Sequence, residues 1–219
     1  MNNEKIIAKT IAFVKKELAN AEGGHDWFHT ERVLKNANII AKEEHADIFI
    51  VSLAALLHDV AEAKFCNGDE TIGPKKAADF LHSENVDKQV IAHVVHIITH
   101  MSFKNEFSKE KMPIHSKEFQ VVQDADRLDA MGAIGIARCF NYGGFKNRAI
   151  YNPEILPNLT MTKKEYTNSK APTLNHFYEK LLLLKNKMHT KTAKTIAQER
   201  HAFMEIFLDQ FYNEWNGVK

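Results

Sequence analysis

Ile48-Phe49-Ile50-Val51-Ser52-Leu53-Ala54-Ala55-Leu56-Leu57-His58-Asp59 is the stretch that decides how this chain folds. A nearly unbroken apolar run has neither the alternation of a half-exposed strand nor the polar face of a surface helix. It predicts a helix buried on all sides, over about Ile48 to Ala63. The run falls short of the ~18 residues that a membrane-spanning helix needs, and Ser52 interrupts it. An isolated buried carboxylate is expensive unless it is paired or bound to a metal. His58 and Asp59, delivered to the interior by such a helix, therefore read as a pair of metal ligands.

Outward from this helix, the spacing of apolar residues predicts more helices. Ile6, Ile7, Ile11, Val14 and Leu18 share one face of a helix that the Gly23-Gly24 pair ends. A second helix starts near Asp26, whose carboxylate suits an N-cap, continues through Val33, Ala37 and Ile40, and carries His29. Pro74 suits the first turn of a helix running to about Leu81. Further helices are expected over about Val86 to His100, Lys117 to Met131, Thr173 to Met188 and Thr190 to Trp215. Glycines 143 and 144 with Pro153 and Pro157 punctuate a polar stretch, about residues 141–170, that reads as loop. The expectation is an all-α, single-domain protein over residues 1–219. Its metal-site core spans about 20–140, and its carboxy-terminal helices about 173–215.

Composition narrows the function classes. Lys plus Arg (29) nearly balances Asp plus Glu (28), so no field exists to recruit a large nucleic acid or an anionic membrane. Met1 to Thr10 lacks the pattern of a signal peptide, which makes the cytoplasm the expected location. Cys66 and Cys139 lie far apart with no partner motif and read as free thiols.

The chemistry concentrates in histidine and aspartate. His29 on the second helix, and one of Asp124, Asp126 and Asp129 on a later one, can join His58 and Asp59. Asp124 and Asp126 differ by about 200° around a helix, so both cannot face one ion. Two imidazoles and two carboxylates suit Mn, Mg, Fe, Co or Zn, and exclude an ion selected by thiolates. At octahedral geometry two positions stay open, which suits a catalytic site. Glu62, three residues after Asp59, shares its helix face and is placed to handle a proton. His93, His96 and His100 form a stripe about 60° wide, with His93 the one expected near a phosphate or a second metal. Arg32, Lys64, Arg138, Lys146, Arg148, His176, Lys180 and Lys187 supply cations or donors for phosphate oxygens.

The segments His25-Asp26-Trp27-Phe28-His29-Thr30-Glu31-Arg32-Val33, Leu56-Leu57-His58-Asp59 and Gln123-Asp124-Ala125-Asp126-Arg127-Leu128-Asp129-Ala130-Met131-Gly132 occur in that order. Together they resemble the HD-domain metal-dependent phosphohydrolase superfamily. With Thr173-Leu174-Asn175-His176-Phe177-Tyr178-Glu179-Lys180-Leu181, the chain is similar to small bacterial single-domain members. The resemblance implies an all-helical fold and one divalent metal held by His29, His58, Asp59 and Asp126, with Asp126 selected from the three aspartates. It also implies hydrolysis of a phosphoester or phosphoanhydride bond in a small phosphorylated substrate, a nucleotide by class.

In some HD phosphohydrolases, nucleotidases and alarmone hydrolases among them, a glutamate at the offset of Glu62 assists catalysis. The alarmone enzymes follow it with an acid where this chain has Ala63. His176 and Lys180, four residues apart in the family-like segment, are the expected substrate contacts. Two other readings are a non-catalytic metal- and nucleotide-binding regulator, which could be a homo-oligomer, and a di-iron oxygenase using the histidine stripe for a second metal.

Overall fold

The computed structural model describes residues 2–19, 21, 24, 26–61, 69, 71–101 and 116–218, the side chains of Lys163 and Thr167 excepted. Among the described residues the regular structure is entirely helical. It groups into two compact units, one ending at Asp126 and the other beginning at Arg127.

The first unit contains α1 (Asn3–Glu17), α2 (Trp27–Glu44), α3 (Ile48–Leu57), α4 (Ile72–Ser83), α5 (Lys88–His100) and most of α6 (Lys117–Asp129). Side chains set where several of these helices begin. Asn2 accepts from the Lys5 amide, Asp26 from His29, Asp47 from Phe49 and Ile50, and Asp87 from Gln89. Each satisfies amide hydrogens that lack partners in a first turn, a stabilisation of about 1 kcal/mol apiece. The apolar helix α3 packs against α1, α2 and α5, so its composition follows from its central place. Val51 to Leu57 are all buried. Ser52, the one hydroxyl in the run, lies 3.0 Å from Asn38 Oδ1 on α2, which removes the penalty of burying it.

Helix α3 ends at Leu57, earlier than expected, and His58 to Ala61 continue as a turn. Ala63, the expected end, lies outside the described residues, as does Gly23 of the pair expected to end α1.

The second unit begins in the last turn of α6 and contains α7 (Gly132–Phe145), α8 (Lys163–Asn168), α9 (Asn175–Glu179), a 3₁₀ segment (Leu181–Lys187) and α10 (Lys191–Trp215). Helix α10 packs against α7 and the 3₁₀ segment. Two expectations are corrected here. The stretch 141–170 is not all loop: α7 runs through Gly143 and Gly144 to Phe145, and α8 occupies part of the remainder behind a Thr162–Glu165 capping box. Gly143 is needed for close approach, since a Cβ there would lie 2.1 Å from Thr173 Oγ1. The helix expected over Thr173 to Met188 is broken at Lys180, where φ −143° and ψ −58° depart from helical values.

Candidate metal centre

Each of the four expected ligands is placed by local structure in the first unit. Asp26 Oδ1 accepts from the His29 amide at 2.9 Å, so the cap that starts α2 also fixes the turn from which the His29 side chain projects. His58 and Asp59 follow the end of α3. Asp126 lies near the end of α6, whose start is tied to that of α3 by the Asp47 amide donating to Glu118 at 3.0 Å. The two helices thus share an anchor at their starts and carry ligands toward their far ends.

The donor atoms converge. His29 Nε2 lies 3.5 Å from Asp59 Oδ2 and 3.5 Å from Asp126 Oδ1. His58 Nε2 lies 3.5 Å from Asp59 Oδ2, 4.0 Å from Asp126 Oδ1 and 3.3 Å from His29 Nε2. His29, His58 and Asp126 bring one ligand atom each, all within 4.8 Å of one another. At metal–ligand distances of about 2.0–2.2 Å, neighbouring donors on one ion stand about 3.0 Å apart in an octahedron and about 3.4 Å in a tetrahedron. The observed spacings are close to both, so the residues fit a small divalent cation.

Tautomer and burial point the same way. His58 Nδ1 lies 2.8 Å from the Ala55 carbonyl oxygen. A carbonyl only accepts, so Nδ1 carries the proton and Nε2 turns its lone pair toward the cluster. The histidine side chains are almost fully buried, at 1% and 3% exposure, while Asp126 is 38% exposed. Ligand atoms therefore lead from the interior toward an open side where solvent or substrate can enter.

The neighbouring aspartates take other places. Asp124 is fully buried. Asp129 accepts from Arg138 Nη1 at 2.8 Å, while Arg127 donates to the Lys187 carbonyl and lies 3.1 Å from His189 Nε2.

Among the remaining sequence-selected residues, Glu62 lies outside the described residues. His93 Nε2 is 2.7 Å from Ser116 Oγ and 3.8 Å from Glu118 Oε2, at the start of α6 and about 12 Å along that helix from Asp126. The structure therefore does not bring His93 into the four-residue cluster. The His96 and His100 rings lie with centroids 4.5 Å apart, tilted by 36°. Desolvation, then the charges of His100 and His93, lower the His96 pKa. His176 and Lys180 belong to the second unit, where Tyr166 joins them, a residue the sequence did not single out. Its signal comes only from packing between distant segments.

The HD-domain family model matches residues 27–131, which contain all four converging residues. An HD-superfamily hydrolase of known structure from Bacillus thuringiensis is 45% identical, with TM-score 0.77 over 98% of this chain and 99% of its own. The chain belongs to the HD-domain superfamily. A Lactobacillus plantarum crystal structure resembles this HD-domain protein with TM-score 0.86 and 39% identity, covering 99% and 100% of the two chains. Bacillus subtilis YpgQ, solved in complex with ADP, resembles it with TM-score 0.74 and 34% identity over 98% and 97%. The HD domain thus agrees with the resemblance carried by the sequence motifs. Among the described residues, no helix is long and apolar enough to cross a membrane.

Proposed function

We propose that this HD-domain protein is a divalent-metal-dependent phosphohydrolase that cleaves a phosphoester or phosphoanhydride bond of a nucleotide. The observation that carries the reading is the convergence of His29, His58 and Asp126, with Asp59 Oδ2 3.5 Å from both imidazoles. These four residues hold the ion. A bound divalent cation supplies charge neutralisation for a phosphoryl group and activation of water.

The protein's own residues do the rest. The Ala55 carbonyl keeps His58 in the ligating tautomer, and the buried imidazoles keep the donor atoms in place without rearrangement. Glu62 is assigned the proton, on its position in the sequence. His93, whose ring meets Ser116 and Glu118, acts on the substrate side or at a second metal. His176 and Lys180 are assigned to substrate. The nucleotide class is supported by the ADP held by the relative YpgQ.

The test is release of phosphate or pyrophosphate from a panel of nucleotides with manganese added. Turnover in the wild type and its loss in His58→Ala is the expected result. Equal turnover in both would remove the site, and nucleotide binding without product across the panel would favour a regulator.

A further inference from the structure

In the second unit, three titratable side chains that the metal centre does not use meet at one nitrogen. His201 lies on α10, and Lys185 lies on the 3₁₀ segment that packs against it. Lys185 Nζ stands 2.7 Å from His201 Nε2. Glu205 Oε1, one turn further along α10, stands 3.2 Å from the same nitrogen. The His201 side chain is 8% exposed, that of Glu205 is 60% exposed, and Lys185 is half-buried. The group is thus rooted in the interior and open to solvent at its charged end. Among the described residues, Lys185 forms no ion pair with a carboxylate.

The protons of this group follow from what surrounds each ring nitrogen. A carboxylate oxygen only accepts, so Glu205 Oε1 beside Nε2 favours a proton on Nε2 and opposes a bare lone pair there. His201 Nδ1 is buried and has no hydrogen-bond partner among the described residues. A proton on Nδ1 would therefore be a buried donor with nothing to receive it, which carries the desolvation penalty of that group. Both observations select the neutral ring with Nε2 protonated and Nδ1 bare. A nitrogen 2.7 Å from that Nε2–H must accept, and lysine accepts only as the free amine. The opposite arrangement, an ammonium donating to Nε2, sets a bare nitrogen against the carboxylate and strands a proton on Nδ1. A contact that served only to pin the 3₁₀ segment to α10 would give Nδ1 an acceptor, as buried donors in folded proteins have.

We propose that Lys185 is a nucleophilic lysine that takes up an acyl group from an acyl phosphate, with His201 holding it in the amine form. Amines become nucleophiles in proteins when their surroundings disfavour the ammonium. The Nζ lone pair attacks the carbonyl carbon and forms the C–N bond. The C–O bond to phosphate breaks, and the phosphate leaves with that electron pair and accepts the Nζ proton. In the product the amide oxygen accepts from His201 Nε2–H, so the ring keeps its tautomer and the lysine loses its charge.

The experiment exposes the full chain to acetyl phosphate at a fixed pH and follows each lysine by peptide mass spectrometry at early times. Lys185 is expected to be acetylated about tenfold faster than Lys194, which is exposed on α10 and forms no ion pair among the described residues. A folded His201→Leu is expected to bring the two rates together, with thermal melting as the check on folding. If His201→Leu unfolds, nitrogen NMR of histidine-labelled wild type at the same pH reads the ring directly, with Nε2 protonated and Nδ1 bare as the expected result. Acetylation of wild-type Lys185 no faster than that of Lys194, an unchanged ratio in folded His201→Leu, or a neutral ring protonated on Nδ1 would each overturn the assignment.

Discussion

His29 Nε2 and His58 Nε2 face each other at 3.3 Å, and because His58 Nδ1 donates to the Ala55 carbonyl, Nε2 is the nitrogen that carries the lone pair in the neutral His58 ring. Two imidazole nitrogens at that distance need a proton or a cation between them. A divalent ion held by His29, His58 and Asp126 satisfies the two nitrogens together with the Asp126 oxygen 3.5 Å from His29 Nε2. Substituting His58 by alanine is expected to lower manganese affinity by more than about 100-fold, since even residues behind metal ligands are worth about 10–100-fold. Titration calorimetry on chelator-treated protein measures this directly. Affinity within a factor of two of wild type would show that His58 is not a ligand.

The packing of α3 delivers the His58-Asp59 pair, so damage to its core is expected to reach the site. Leu56 is fully buried two residues before His58. Leu56→Ala should cost about 2–5 kcal/mol by removing buried methyl groups and leaving a cavity. Urea unfolding reads the loss. A change below about 1 kcal/mol would mean that α3 does not sit at the core of its unit.

Much of this centre was legible in the sequence because its determinants are local. The apolar run fixed α3 as a buried helix, and the Asp26 cap fixed where α2 starts and hence where His29 stands. Choosing Asp126 over Asp124 and Asp129 needed the family pattern, since helical angles exclude only simultaneous use. The structure supplies the physical reason in part: Asp129 is committed to Arg138, a partner that spacing along the chain does not indicate. The second unit was less legible. Glycines 143 and 144 read as a turn because the residue that makes Gly143 necessary, Thr173, is distant in sequence. The break at Lys180 carries no proline or glycine to announce it, and the apolar rhythm runs on into Leu181 and Leu184.

Gly143 and Gly144, adjacent in α7, should therefore respond in opposite directions to the same change. A Cβ at Gly143 would meet Thr173 Oγ1 at 2.1 Å and Cγ2 at 2.8 Å, and Thr173 is itself buried. Gly143→Ala is expected to destabilise by about 1–3 kcal/mol through overpacking. At Gly144 a Cβ would meet nothing within 4 Å. Gly144→Ala is expected to stabilise by about 0.4–1 kcal/mol by restricting the unfolded chain within a helical position. Chemical denaturation of both variants decides the matter, and equal shifts of the same sign would contradict the close approach to Thr173.

Acid should act through His176. Burial, followed by the charges of Lys180 and Arg148, pushes its pKa down to about 3 from an ordinary 6.5. Between those values the unfolded chain binds the proton and the folded chain does not, so stability falls as pH falls. The stabilisation linked to this residue is complete above about pH 6.5 and is lost progressively toward pH 3. Relative to His176→Asn, which has no such proton to bind, the wild type should lose stability faster on acidification through this window. Unfolding free energies of the pair at several pH values test the sign; parallel curves would show that His176 titrates normally.

The last turn of α6 carries its own restraints. Asp129 is nearly fully buried and accepts from Arg138 Nη1 at 2.8 Å, while Arg200 donates to the Leu128 carbonyl. Asp126 stands three residues before Asp129 on that helix, about one turn away. Arg138→Ala removes this partner while the Arg200 charge still acts on Asp129, and is expected to cost about 2–3 kcal/mol. Asp129→Asn keeps a hydrogen-bond acceptor for Arg138 and should cost about 1–2 kcal/mol. If the last turn positions Asp126, manganese affinity should follow the same order, with Arg138→Ala weaker than Asp129→Asn and both weaker than wild type. Stability that falls in that order with unchanged manganese affinity would confine the Asp129–Arg138 pair to holding the fold.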